Sequence, residues 1–281
     1  MAAGRLGFPP PHSDGPMSYQ YLEAALLGFV EGLTEFLPVS STGHLILFVN
    51  LLGFEGPPGK VFEVAIQLGA ILAVCLVYFA RLWRVVVGLK DDPRAWRFVF
   101  AILLGFLPAA VLGAALHGFI KTVLFNPTVV CVSLIVGGIA ILVVERFLPT
   151  PRYHEIERFP ASLALKVGLF QSIAMIPGVS RSGATILGAL LMGVDRRTAA
   201  EFSFFVAIPT MAGAVTYDLY KNWSSMNMDG AVLIGIGFVM AFLSGGLVVK
   251  ALLDFVGRYG FSPFGWYRIA IGIAMLAFLY L

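Results

Sequence analysis

The sequence predicts an all-α integral membrane protein, an inverted repeat of two halves, each a re-entrant helical hairpin followed by three transmembrane helices. Three observations lead there. Of 281 residues, 59% are hydrophobic and 12% charged, whereas soluble domains carry about a quarter charged residues. Six stretches supply the roughly 20 apolar residues that a helix needs to cross about 30 Å of hydrocarbon. Finally, a polar motif set in apolar sequence occurs twice, as EGLTEFLPVSSTGHLIL over 31–47 and QSIAMIPGVSRSGATIL over 171–187. Ser40 then aligns with Ser180, Gly43 with Gly183, Ile46 with Ile186 and Leu47 with Leu187, while Arg181 stands where the first copy has Ser41.

Residues 1–17, rich in proline, read as a disordered extension. The first repeat, 18–158, has a hairpin over 19–54 and spans at 61–80, 98–117 and 128–148. The second, 159–281, has a hairpin over 161–194 and spans at 202–220, 231–250 and 261–281. The outgoing arms, 43–54 and 183–194, hold twelve residues each; as helix they reach only about 18 Å, too short to cross. Each is therefore expected to turn back beside the arm before it. Pro38 and Pro177 end the incoming arms, and Ser or Thr caps the outgoing ones. Broken backbone at membrane depth is tolerated only where it faces protein or a wet cavity, so the two motifs should line a pocket.

The alignment holds at constant offset as far as Phe62 over Phe202. An odd number of crossings separates Gly28 from Gly168, which gives the copies opposite orientation and brings their tips together near the midplane. Most Lys and Arg, including Arg81, Arg84, Lys90, Arg94, Arg97, Arg146, Arg152, Arg158, Arg196, Arg197 and Arg258, fall on one side, against Arg5, Lys60, Lys121 and Lys221 on the other. The basic side is assigned to the cytoplasm, so the first hairpin opens outward, toward the periplasm of a bacterial inner membrane. A net charge of +3 without a polybasic run excludes nucleic acid as a partner; membrane lipids are expected instead. Cys75 and Cys131 each lie mid-way along an apolar segment and read as small apolar fillers.

Glu31 and Glu35 are four apart and share a helix face. Two neighbouring carboxylates in apolar surroundings repel unless a cation lies between them. A divalent cation, Mg²⁺ or Ca²⁺, would answer that need, and so would Arg181. Ser40, Ser41 and Thr42 precede a helix start, where N–H groups and the dipole attract anions. His44, three beyond Ser41, stands within reach as a base or proton donor. In the second copy Arg181 sits amid Gly178, Ser180, Ser182 and Gly183, with Thr185 one turn on; glycine admits the backbone, hydroxyls donate, and guanidinium binds two phosphate oxygens. A purely structural bridge from Arg181 to Glu35 is the competing explanation.

The segments EGLTEFLPVSSTGH (31–44) and PGVSRSGAT (177–185) resemble the two signature motifs of the undecaprenyl-diphosphate phosphatases, also called bacitracin-resistance proteins. The likeness continues through FEVAIQLGAILAV, LMGVDR and EFSFFVAIPTMAGA. The resemblance implies hydrolysis of the lipid diphosphate to its monophosphate on the outer membrane face, a divalent cation and bacitracin resistance. It also implies that Glu31 and Glu35 form the acidic motif, with Ser41 as candidate nucleophile, His44 as the nearby histidine and Arg181 as the phosphate-binding arginine. Whether Ser41 or a metal-activated water attacks stays open. Ser40, Thr42, Gly178, Ser180, Ser182 and Thr185 complete the expected substrate contacts, and the sequence leaves room for a homodimer. The alternative is a lipid-phosphate flippase using the same pocket, since paired re-entrant hairpins also serve transporters.

Overall fold

The computed structural model describes residues 17–54, 56, 61–119, 126–222 and 228–280, and these are almost wholly helical. α1 (Met17–Glu35) and α2 (Ser41–Leu52) form a first hairpin, followed by α3 (Val61–Val77), α4 (Phe79–Gly88), α5 (Pro93–Phe119) and α6 (Pro127–Arg146). A second hairpin, α7 (Ala161–Ser172) with a 3-10 turn over Ile173–Met175 and α8 (Arg181–Leu191), precedes α9 (Arg196–Asn222), α10 (Met228–Tyr259) and α11 (Ser262–Tyr280). Among the described residues, five helices are long and apolar enough to cross a membrane, or six if α3 and α4 count as one. Residues 1–16, which hold nearly all of the expected extension, lie outside the described residues, as do Lys60 and Lys121.

The expected span at 61–80 is broken. α3 ends at Val77, and α4 departs from it at 72°. The cause is polar: the Tyr78 hydroxyl donates to Glu201 (3.3 Å), and Arg81 reaches Glu201 (2.8 Å) and Glu157 (2.9 Å). α4 meanwhile exposes Phe79, Trp83, Val86 and Val87, the pattern of a helix lying along a membrane surface. Three spans, α5, α9 and α10, are longer than their apolar windows. α9 begins at Arg196 rather than 202 because Asp195 Oδ1 accepts from the backbone N–H groups of Arg197 (3.0 Å) and Thr198 (3.1 Å), an N-cap that hydropathy does not register. α10 continues past 250 to Tyr259, stopping only at Gly260 with φ 67°.

The helices approach closely through glycine. A Cβ on Gly28 of α1 would collide with the Gly237 carbonyl of α10, and a Cβ on Gly168 of α7 with the Gly105 carbonyl of α5. Gly237 in turn faces Phe62 and Ile66 of α3, while Gly105 faces Phe202 and Val206 of α9. The two sets correspond at the sequence offset already seen, Gly28 to Gly168, Phe62 to Phe202 and Ile66 to Val206.

Each hairpin returns toward its own entrance. The chain entering α7 is tied to the chain leaving α8 by Arg152 N–H to Gly193 O (2.7 Å) and Asp195 N–H to Tyr153 O (3.1 Å). Tyr21, near the start of α1, packs in one cluster with Leu52 and Phe54, together with Phe62 and Leu233. A larger core of buried Phe36, Phe98, Phe202, Phe204 and Phe205 lies between the hairpins and α9. Phe36 meets Phe204 edge-on at 5.6 Å, just behind the first tip. Ion pairs knit one end of the bundle: Arg196 bonds Glu145, whose Oε2 accepts from Phe261 N–H (2.9 Å), and Arg81 lies between Glu157 and Glu201.

Candidate functional site

Both hairpins turn on a serine. Ser40 (φ 70°) and Ser180 (φ 78°) are the only non-glycine residues at positive φ among the described residues. Each caps its outgoing helix, its hydroxyl accepting from the N–H three residues on, Gly43 (3.4 Å) and Gly183 (3.1 Å). A left-handed non-glycine residue costs about 1–3 kcal/mol, and such strain concentrates at functional sites. Its consequence is geometric: Ser41 and Arg181 become the first residues of α2 and α8, side by side with the positive ends of two helices.

The two tips meet. Glu35, 7% exposed at the end of α1, accepts from Ser41 Oγ at 2.5 Å on Oε2 and from Arg181 Nη2 at 3.0 Å on Oε1. Ser182 Oγ of the second tip donates to the Leu37 carbonyl of the first at 2.7 Å. Arg181 is fixed further by the Ser203 carbonyl (2.8 Å) and hydroxyl (3.2 Å) on Nη1, while its buried Nε–H has no partner among the described residues. Glu31, one turn before Glu35, is 0% exposed, and among the described residues neither of its carboxyl oxygens finds a hydrogen-bond donor. A buried, unpartnered carboxyl demands a proton or a cation.

His44 is buried but turned from Ser41. Its Nδ1 lies 2.8 Å from the Ser40 carbonyl, which can only accept, so Nδ1 carries the hydrogen; Nε2 pairs with the Tyr267 hydroxyl at 2.6 Å. The partner of Ser41 is therefore Glu35. Thr42 is half-buried at the start of α2. Ser180 and Ser182 share a hydrogen bond of 3.0 Å. Thr185 is occupied between hairpin arms, donating to the Arg181 carbonyl (2.8 Å) and lying 3.1 Å from Gln171 Oε1. Gly178 (φ 90°) is glycine because α6 packs on it, where a Cβ would meet the Val130 backbone; close approach of a ligand is not needed to explain it.

Three contributors escaped the sequence reading. Ser203, which holds Arg181, occupies the place of Glu63 in the first copy and could have been found by extending the alignment past Phe202. Tyr267 sits in a Trp-Tyr pair that reads as an interfacial belt. Arg268, 1% exposed, is a lone charge in the last span, the kind of residue that ordinarily marks function in a membrane.

A divalent cation can be judged against this donor set. Among the described residues no group of three or more His, Cys, Asp or Glu side chains gathers, so Glu31 and Glu35 are the carboxylates at hand. The unpartnered Glu31 oxygens fit an oxygen-seeking ion that keeps water and substrate oxygens among its ligands.

Fold and site together define a multi-pass helical membrane protein whose two hairpin tips present a carboxylate, a hydroxyl and a guanidinium at one buried junction, a constellation suited to an anionic headgroup. Residues 24–274 match the family described as bacitracin resistance protein BacA, and the chain belongs to that family. It is similar to undecaprenyl-diphosphatase 2 of Paramagnetospirillum magneticum, with 59% identity over 254 residues, 90% of this chain and 97% of that protein. An undecaprenyl-diphosphatase of Azospirillum brasilense is 78% identical over 183 residues, 65% of this chain and 98% of the relative. Undecaprenyl-diphosphatase 1 of Agrobacterium fabrum is 58% identical over 252 residues, covering 89% of this chain and 94% of its own length.

Proposed function

We propose that this chain is an undecaprenyl-diphosphate phosphatase, hydrolysing the lipid diphosphate to undecaprenyl phosphate and inorganic phosphate. The observation that carries the proposal is Glu35 shared between Ser41 and Arg181, one from each tip. The relatives' names supply the substrate class.

In the mechanism, the diphosphate enters between the tips while the polyprenyl tail lies among the spans. Its terminal phosphate recruits Arg181, through the free Nε–H first, and draws the guanidinium from Glu35. Glu35 Oε2, already bonded to Ser41 Oγ, takes the hydroxyl proton as Oγ attacks the terminal phosphorus. The Oγ–P bond forms, the bridging P–O bond breaks, and undecaprenyl phosphate leaves, its oxygen taking the proton from Glu35. Water then attacks the phosphoserine, giving a proton to Glu35; the P–Oγ bond breaks, inorganic phosphate is released, and Glu35 passes the proton to Ser41 Oγ. The N-termini of α2 and α8 offset charge developing on the phosphoryl oxygens. Glu31 and Glu35 would hold a divalent cation, Mg²⁺ or Ca²⁺, which when bound neutralises phosphate charge. His44, held by Ser40 and Tyr267, keeps the α2 turn in place.

The matching glycine and phenylalanine contacts of the two halves support an inverted repeat, with the hairpins entering from opposite faces. The basic residues gathered at the ion-paired end support a cytoplasmic assignment for that end, which opens the first hairpin toward the periplasm of the inner membrane. There the product would re-enter the lipid-carrier cycle of cell-wall synthesis, and removal of the diphosphate would give bacitracin resistance.

The experiment is phosphate release from undecaprenyl diphosphate by purified wild type, Ser41→Ala, Glu35→Gln and Arg181→Ala, with and without chelator. The wild type releases phosphate, and each variant loses at least about 10²-fold in kcat/KM. Near-normal turnover by Ser41→Ala would exclude the covalent route. Lipid counterflow without any phosphate release would make the chain a carrier.

A further inference from the structure

Among the described residues Arg268 of α11 is the largest fully buried side chain, and none of its bonds there goes to a carboxylate. Its guanidinium has five N–H donors, and five backbone carbonyls receive them. Nη1 donates to Pro38 (3.0 Å) and Val179 (2.9 Å), Nη2 to Gly178 (2.9 Å) and Ser133 (3.1 Å), and Nε to Leu134 (3.3 Å). Pro38 and Gly178 hold the same place in the two tips, each two residues before the strained serine. One side chain thus grips equivalent carbonyls of both hairpins and fastens them to α6. Room for it comes from Gly137 of α6, where a Cβ would overlap Nη2 and Cζ.

A buried cation without a counter-ion is costly, and five carbonyl dipoles are what this one has in return. Those same bonds draw the carbonyls on the back of each tip toward Arg268. Ser40 and Ser180 follow directly, and with them Ser41 and Arg181 at the front.

We propose that Arg268 is the positioning residue of this site: it holds the two tips in register so that Glu35 and Ser41 of one meet Arg181 of the other, and it touches no substrate itself. The inference rests on the phosphatase reading, and its test has one arm that does not. Arg268→Lys keeps the charge but cannot span five carbonyls. In phosphate release from undecaprenyl diphosphate its kcat falls about 10²-fold, as small misplacements of reacting groups do, with KM near wild type. A wild-type kcat in Arg268→Lys would overturn the proposal. In the second arm, Leu37→Cys and Ser182→Cys are introduced together, with Cys75→Ala and Cys131→Ala, and joined by a short thiol cross-linker. Cross-linking is efficient with Arg268 present and falls severalfold in the Arg268→Lys background; an equal yield in both would overturn the proposal. Wild-type protein that releases no phosphate would overturn the phosphatase reading alone, and the cross-link comparison would still decide whether Arg268 holds the tips together.

Discussion

Glu31 and Glu35 are one turn apart on the same helix, yet they are treated differently. Glu35 is held by a hydroxyl and a guanidinium, while Glu31 is fully enclosed with both oxygens unpartnered. An unsatisfied buried polar group costs about 1–3 kcal/mol, more when charged, so Glu31 is a place where stability has been given up. Glu31→Gln removes the charge while keeping the shape. In chelator it should unfold at a higher temperature than wild type, and added Mg²⁺ or Ca²⁺ should stabilise wild type but not the variant. A lower midpoint for Glu31→Gln would mean the carboxylate has a partner that matters. That Glu31 and Glu35 share a helix face was legible from their spacing alone, and so were the serine caps, because both are local rules. Arg268 was not: its five partners lie on three segments distant in sequence, and no local pattern announces a guanidinium that binds only carbonyls. Nor is the orientation of the His44 ring readable from its distance along the chain to Ser41, since the Ser40 carbonyl and Tyr267 decide which way it faces.

Helix existence followed from hydropathy, and helix ends did not, because ends are set by single polar groups. Asp195 starts α9 and Gly260 stops α10, while Tyr78 and Arg81 divide one apolar run into α3 and α4. Helix pairing rests on glycine, as expected where lipid tails compete with side chains and only close backbone approach favours association. Gly168 and Gly213, both helical, separate these roles. At Gly168 a Cβ would run into the Gly105 carbonyl and Pro108, whereas at Gly213 nothing lies within 4 Å. Gly168→Ala should therefore destabilise by about 1–3 kcal/mol through overpacking, while Gly213→Ala should stabilise by about 0.5–1 kcal/mol through helix propensity. Thermal unfolding of both variants in one detergent checks the difference in sign; destabilisation by both would mean that glycine acts here through backbone freedom and not through helix approach.

At the scale of the molecule, the charges divide by end. Three groups of ion pairs, Arg81 with Glu157 and Glu201, Arg196 with Glu145, and Arg197 with Asp254, lie where α6 and α10 finish and α9 begins. α9 starts at that end and its final turns lie at the other, with Tyr220 85% exposed, while Tyr259, at the end of α10 beside Gly260, is 65% exposed among the charges. Lys and Arg favour the cytoplasmic side, so these two tyrosines should report opposite faces. On a Cys75→Ala, Cys131→Ala background, Tyr220→Cys should react with a membrane-impermeant maleimide in spheroplasts, and Tyr259→Cys only once the membrane is opened. The mouth of the first hairpin, where Tyr21 and Leu52 pack in one cluster with Leu233 at the start of α10, lies at the end opposite Tyr259. The labelling pattern therefore also fixes the face toward which the first hairpin opens, the face from which the proposed diphosphate substrate would arrive. The reverse pattern would turn that mouth to the cytoplasm, leaving the chemistry of Glu35, Ser41 and Arg181 intact but making the substrate a lipid of the inner leaflet.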